Sequence, residues 1–394
     1  MEENKKSVVY DQTRLADYTE DSTIQRGRID LPFMLLTLLL LTIGVVMVLS
    51  SSFARAYYDL ENETGGDATY YFVRQLIFAI GGVGVMFIFS RFPMVLYRRL
   101  SFIILCAGIG CLALVPIIGT TVNGAKRWIS LGFTTFQPSE IAKIGVILYF
   151  SSLICKFRDK MQTFKYGIAP FVVILAIIVG LLLLEPHISA SIIIIAVSVV
   201  LLFVGGVKLR WFVGGAAVLG LGFVVVVTQF AHASSRIQTW LDPFADATGD
   251  GWQTVQSLYA VGSGGMTGLG LGQSRQKYLY LPEEHNDFIF SIICEELGYI
   301  GAVLILALFA LLIIRGYWLA MHARDRYSFF VCVGITTLLA FQVIMNVSVC
   351  TNLMPCTGIS LPLFSYGGTA LLIQMAEMGI ILSMSRDIPA KKSG

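Results

Sequence analysis

Ten runs of mostly apolar residues, each about long enough to cross roughly 30 Å of hydrocarbon, dominate this chain of 394 residues. They lie near residues 31–50, 72–90, 101–119, 138–155, 168–184, 188–206, 211–229, 288–314, 328–349 and 367–385. Lipid offers no partner to backbone N–H and C=O groups, so runs of this kind span as helices. The expectation is an all-α polytopic membrane protein of about ten transmembrane helices, and a composition of 56% hydrophobic against 13% charged residues agrees.

An even number of spans puts both termini on one side. About 20 of the 28 Lys and Arg residues fall in the two tails and in the alternate loops on that side, as the positive-inside bias requires of cytoplasmic segments. The arrangement is therefore N-in and C-in, and the net charge of +3 is a topology signal with no aromatic-interleaved basic patch to suggest nucleic acid. Residues 1–30 lack a signal peptide's apolar core and cleavage site and are expected to form a disordered cytoplasmic tail. Residues 31–385 form one transmembrane domain and 386–394 a short cytoplasmic tail.

The unusual sequence gathers on the outer face. The loop at 51–71 carries Asp59, Glu61, Glu63 and Asp67, for which solvated loop charge is the plainer reading. The loop at 119–137, GTTVNGAKRWISLGFTTFQ, holds the cations Lys126 and Arg127 beside Trp128. A loop of about 57 residues, 230–286 between helices seven and eight, is far longer than an ordinary connection and is expected to be functional. Glycines 262, 264, 265, 268, 270 and 272 within it invite an anion-cradle reading. Their spacing does not meet the dinucleotide fingerprint, and a flexible or closely packed loop is preferred. Arg236, Arg275 and Lys277 supply cations nearby.

The stretch LPEEHNDFIFSIICEELGYIG, 281–301, places five acids around a membrane helix, where carboxylates are costly. Glu283 and Glu284 read as wet loop charges. Glu295 and Glu296 lie inside the helix and must be paired. Asp287 falls at the first turn, where the helix dipole favours a carboxylate and water still reaches it. Helix four opens with QPSEIAK, putting Glu140 and Lys143 on neighbouring positions of one face, as a structural ion pair or in a direct chemical role. At about 1.5 Å per residue, Lys143 and Glu295 lie at similar depth, so Lys143 is expected to pair with Glu295 or Glu296 as well as, or instead of, Glu140. Glu185 and His187, in the turn EPH, read as ligands or proton carriers, with an ordinary solvated turn at least as good a reading. Cys350 and Cys356 flank an outer loop and could bridge, with free thiols as the default reading. Four scattered histidines make no metal site by spacing. The run LPLFSYGGTALL, 361–372, reads as a packed segment whose small residues allow close helix approach.

In order, NGAKRWISLG, FQPSEIAK, RIQTWLDP, GSGGMTGLGLGQS, LPEEHNDFIFSIICEELGYIG and MPCTGISLPLFSYGG resemble the signature segments of the SEDS family, the FtsW, RodA and SpoVE group of cell-wall polymerases. The resemblance covers residues 30–385 and leans towards the FtsW and SpoVE branch. It implies a peptidoglycan glycosyltransferase that polymerises lipid II, an undecaprenyl-pyrophosphate-linked disaccharide pentapeptide, on the outer face of the bacterial cytoplasmic membrane. It also implies a class B penicillin-binding transpeptidase as partner, together with membrane lipids and other divisome proteins; the small, apolar outer ends of helices eight and nine are the candidate docking surface. The family's essential aspartate falls on Asp287 and its loop tryptophan on Trp128. Two departures stand out: Asn286 where the family commonly has Thr, and EPHIS, 185–189, where many members read QPDLGT.

The chemistry asks for a base to take a proton from an acceptor hydroxyl, and for positive charge to stabilise a departing pyrophosphate. Asp287 is the expected base. Lys126, Arg127, Arg236, Arg275 and Lys277, with Trp128 and His285, are the expected substrate-binding residues. A divalent cation, Mg or Mn, is another source of positive charge, with no ligand motif behind it. The rival functions are a lipid flippase or a membrane scaffold, and nothing in the sequence separates division from elongation or sporulation.

Overall fold

The structure is a computed structural model and describes residues 27–60, 64–122, 125–130, 132, 134–185, 187–217, 220 and 237–388. Arg236 and most of the expected seventh span lie outside the described residues.

Among the described residues, seven helices are long and apolar enough to cross a membrane. Helix α1 (Leu31–Tyr58) starts where Asp30 caps it, accepting from the Phe33 N–H at 2.9 Å, with a proline in the first turn. It runs eight residues past the expected end at 50, so its last turn carries Arg55 out of the apolar run. Helices α2 (Tyr70–Arg91) and α3 (Met94–Ile118) follow, then α4 (Pro138–Phe157), α5 (Ala169–Leu184) and α6 (Ile188–Val204). Residues 209–217 are helical as well. Helix α7 (Trp252–Ser263) belongs to the long outer loop, and α8 (Ile289–Met321), α9 (Arg326–Cys350) and α10 (Gly368–Ser385) complete the bundle.

The loop between α3 and α4 is no bare connection. It forms an antiparallel sheet, β1 (Thr120–Val122), β2 (Ala125–Ser130) and β3 (Thr135–Phe136), in that order, which adds a small β element to the helical fold. Thr369 at the start of α10 ties it down by donating to the Thr135 carbonyl at 2.8 Å.

Helices α9 and α10 form the centre of the bundle, with 78% and 72% of their apolar windows buried, against 22% for the peripheral α2. Small residues set the spacing where helices touch. A Cβ on Gly108 would come within 3.0 Å of the Ala142 Cα, and one on Gly145 within 2.9 Å of the Leu105 Cα, so α3 and α4 meet backbone to backbone.

The start of α1 and the end of α10 share one face. Gly27 N–H donates to the Arg386 carbonyl at 2.7 Å, Asp30 N–H to Ser385 Oγ at 3.1 Å, and Arg315 grips Asp30 with Nε at 3.0 Å and Nη2 at 2.5 Å. The other end of α1 meets the acidic stretch 281–301 at the opposite face.

Candidate functional site

Helix α8 is broken. Gly298 has φ +68° in mid-helix, and a Cβ there would lie 2.2 Å from the Gly268 nitrogen. The glycine run plugs the break: Leu269 N–H donates to the Glu295 carbonyl, Gly270 N–H to that of Glu296, and the Tyr299 and Ile300 N–H groups to the carbonyls of Gly265 and Met266. Backbone freed by the kink is satisfied by backbone of the loop, which such depth demands. The close-packed reading of the glycines holds. Every residue from Ile289 to Glu296 is buried in protein, and the exposed face of α8 begins at Tyr299, which is 63% exposed. The 23 residues from Tyr299 to Met321 alone rise about 34 Å.

The kink corrects the expected Lys143 pairing. Depth counted from residue 288 assumed an unbroken membrane helix, whereas the first two turns of α8 are packed into the outer loop. Among the described residues Lys143 forms its salt bridge with Glu140, at 2.7 Å, inside α4. Glu296 takes Lys277 at 3.1 Å, Ser50 Oγ of α1 at 2.5 Å and the Ser274 N–H at 3.3 Å. Glu295 accepts from the Ser274 hydroxyl, the Arg275 and Gln276 N–H groups and Ser263 Oγ. Lys277 is 2% exposed and also donates to the Gly272 carbonyl at 2.7 Å, so its charge is used inside the fold and is not presented to a ligand. Arg275 is exposed on the same loop, and its backbone does the structural work.

Glu284 also departs from expectation. It is fully buried and paired bidentately with Arg55, Nε to Oε1 at 2.8 Å and Nη2 to Oε2 at 3.0 Å. Burial pushes its carboxyl up, but His285 and Arg55 outweigh that and hold it below the usual value. The extension of α1 is what delivers Arg55. Glu283, with φ +55°, accepts from Asn286 Nδ2 at 2.6 Å.

Asp287 lies two residues before α8 in a tight turn, half-buried, and no hydrogen bond or ion pair among the described residues engages its carboxylate. Its backbone is held firmly. Asn346 Nδ2, fully buried on α9, donates to the Asp287 and Ile359 carbonyls, both at 2.7 Å. The SYGG segment grips the preceding residues: Ser365 Oγ donates to the Asn286 carbonyl at 2.7 Å and the Tyr366 N–H to the His285 carbonyl at 2.9 Å. Gln75 of α2 steadies that segment by donating to the Ser365 carbonyl and accepting from the Gly367 N–H. Sequence reasoning passed over Gln75 and Asn346, because an amide inside an apolar run shows its value only when its partners are known. The His285 ring sits between Tyr71 and Tyr366, at 4.6 and 5.7 Å between centroids, a packed position.

Gly358, with φ +66°, closes over the acid; a Cβ there would stand 3.2 Å from Asp287 Oδ2. Burial, reinforced by Glu283, pushes the Asp287 carboxyl up to about 6, while His285 and Arg127 pull it down.

Arg127 is the cation that the sheet brings to this acid. On β2, side chains alternate between faces. Lys126 turns the other way and donates to the Pro116 carbonyl at 3.0 Å, with Trp128 on its side of the strand, so the two adjacent cations do not act together. Arg127 Nε reaches the Glu185 carbonyl at 3.4 Å and acts electrostatically on Glu185, His187 and Asp287. The EPH turn is not solvated: Glu185 is 1% and His187 6% exposed. Gln137, at the N-cap of α4, makes no cap bond and lies 3.4 Å from His187 Nε2. Glu377 of α10, also buried, lies within electrostatic reach of Lys143 and Glu140. Among the described residues no group of three His, Cys, Asp or Glu is placed to hold a metal ion, and Cys350 and Cys356 are not joined by a disulfide.

Residues 31–389 match the family described as "Cell cycle protein", the FtsW, RodA and SpoVE group. Stage V sporulation protein E of Bacillus subtilis is 39% identical over 92% of this chain and 99% of that protein. A probable peptidoglycan glycosyltransferase FtsW of Trichlorobacter lovleyi is 40% identical over 90% and 93%. The fold matches a chain of a solved peptidoglycan synthase complex that coordinates polymerization and crosslinking, with TM-score 0.75 and 29% identity over 91% of this chain and 98% of that one. It also matches the crystal structure of the rod shape determining protein RodA of Thermus thermophilus, with TM-score 0.67 and 26% identity over 92% and 98%. With relatives this similar over nearly their full length, the chain belongs to the FtsW/RodA/SpoVE family of multi-pass membrane proteins.

Proposed function

We propose that this protein is a peptidoglycan glycosyltransferase that polymerises lipid II at the outer surface of the bacterial cytoplasmic membrane, with Asp287 as general base. The observation that carries the reading is the Asp287 carboxylate itself: its backbone is held by Asn346 and Ser365, it has no hydrogen-bond or ion-pair partner among the described residues, and His285 and Arg127 act on it electrostatically. A carboxyl raised to about 6 is largely ionised at neutral pH yet more basic than an ordinary aspartate, which suits proton abstraction. In the step proposed, the base takes the proton of an acceptor hydroxyl as that oxygen attacks the anomeric carbon. The pyrophosphate leaves with the bonding electrons, and Arg127 balances its developing charge.

The family relationship and the likeness to a polymerizing and crosslinking complex support this reading and a class B transpeptidase as partner. The outer ends of α8 and α9, where Tyr299, Ile300 and Ile344 are exposed, are the proposed docking side. With ten spans and both termini in the cytoplasm, Asp287 would face outward, a reading supported by the contact of the start of α1 with the end of α10 at the face opposite to it. The full chain, purified with its transpeptidase and supplied with labelled lipid II, is expected to make glycan chains resolvable on a gel. Translocation of lipid II across vesicles without polymer would instead make the protein a flippase.

A further inference from the structure

The turn between α5 and α6 holds two polar groups that neither the fold nor the proposed base accounts for. Glu185 is 1% exposed, and neither of its carboxylate oxygens has a hydrogen-bond partner. His187 is 6% exposed, and its Nδ1 has none either. Buried polar atoms without partners are rare and costly, and a pair of them on one short turn is unexplained by packing. Both belong to the same surroundings as Arg127: its guanidinium donates to the Glu185 carbonyl and acts electrostatically on Glu185, His187 and Asp287 alike.

The chemistry of a ligand follows from those charges. A divalent cation would be held by one carboxylate and one imidazole while Arg127 and Lys143, the two cations acting on His187, repelled it. An anion suits Arg127 but not the Glu185 carboxyl. What the turn can take is an uncharged hydrogen-bond donor, and what Arg127 can take is a phosphate oxygen. A molecule that offers both a short distance apart is a sugar phosphate.

We propose that Glu185, with His187 beside it, forms a sugar subsite in which the carboxylate accepts hydrogen bonds from hydroxyl or acetamido N–H groups of the sugar nearest the pyrophosphate, while the phosphates rest on Arg127. The proposal rests on the glycosyltransferase reading and adds to it the residues that recognise the saccharide. It gives the departure from QPDLGT to EPHIS a purpose: this chain carries its acid two residues earlier in the turn. His187, held down to about 3 by burial and then by Arg127 and Lys143, stays neutral, so its ring accepts or donates without adding charge.

The test uses the full-length protein with its transpeptidase and two ligands, lipid II and undecaprenyl pyrophosphate, which share the prenyl pyrophosphate and differ in the sugar. Glu185→Ala is expected to weaken binding of lipid II about tenfold or more, the scale of a lost hydrogen bond to a charged group, and to leave the affinity for undecaprenyl pyrophosphate as in the wild type. Glu185→Gln, which keeps the size of the side chain, serves if the alanine variant fails to fold and is expected to show the same selective loss. Equal loss for both ligands, no loss for lipid II, a loss that appears only with added Mg, or misfolding of both variants would overturn the subsite. A wild-type protein that binds undecaprenyl pyrophosphate but not lipid II would overturn the glycosyltransferase reading itself.

Discussion

At the residue scale, the acids of the 281–301 stretch divide by what faces them. Glu284 is buried against Arg55, and removing one partner of a buried pair strands the other charge. Glu284→Gln is expected to destabilise the protein by about 3 kcal/mol, the low end for such pairs because Arg55 keeps some solvent contact. A thermal melt in detergent that is unchanged for this variant would show the pair to be idle. Asp287 titrates near 6, so the acidic limb of the polymerisation rate is expected to fall away below about that pH. A limb centred near the ordinary aspartate value would mean that the carboxyl is not held as described. The sign for stability runs the other way. Glu185 is pushed from 4.5 up to about 7, so the folded state binds the extra proton across that window and loses stability as pH rises through it. The candidacy of Asp287 as the base rests on its place ahead of an apolar run and on the family resemblance, both legible in the sequence. The burial of Glu284 and Glu185 was not, because each depends on a partner distant in sequence: Arg55, carried in by an α1 longer than its apolar run, and Arg127, aimed by strand alternation.

At the scale of elements, the break in α8 organises the outer half of the molecule. Gly264, Gly268 and Gly298 lie backbone against backbone, where an added Cβ would come within 2.0, 2.1 and 2.2 Å of a backbone atom, leaving no room for a side chain at these three positions. Gly298→Ala forces both a left-handed φ and a contact of 2.2 Å with the Gly268 nitrogen, and is expected to abolish accumulation of folded protein. Gly262→Ala, on α7 with nothing within 4 Å of the added Cβ, is the matched control and should fold normally. Equal yields of the two variants would show that the kink is not needed. The apolar runs revealed where helices lie, and the glycine spacing argued for a packed loop. Hydropathy had no means of showing that one continuous run, 288–314, contains about two turns of loop-bound helix before its membrane segment, since Glu295 and Glu296 look the same whether lipid or a re-entering loop surrounds them. The small sheet at 120–136 was hidden for a similar reason: its strands are too short to show an alternating pattern.

At the scale of the whole molecule, one face binds the start of α1 to the end of α10 and to α8 through Asp30, Arg315, Ser385 and Arg386, and the opposite face gathers the sheet, Glu185 and His187, the broken helix and Asp287. Structural charge pairs fill the space between, Glu140 with Lys143 and Glu296 with Lys277, leaving Asp287 as an unpaired acid at the working end. The central claim is that this acid performs the proton transfer of glycan polymerisation. The most direct measurement compares wild type and Asp287→Asn, each purified with the transpeptidase partner, in a quantitative lipid II polymerisation assay. The variant is expected to fold, insert and bind its partner normally while polymer formation falls by about 100 to 10,000-fold, the span commonly lost with one general base. Near-normal polymer from Asp287→Asn would contradict the account.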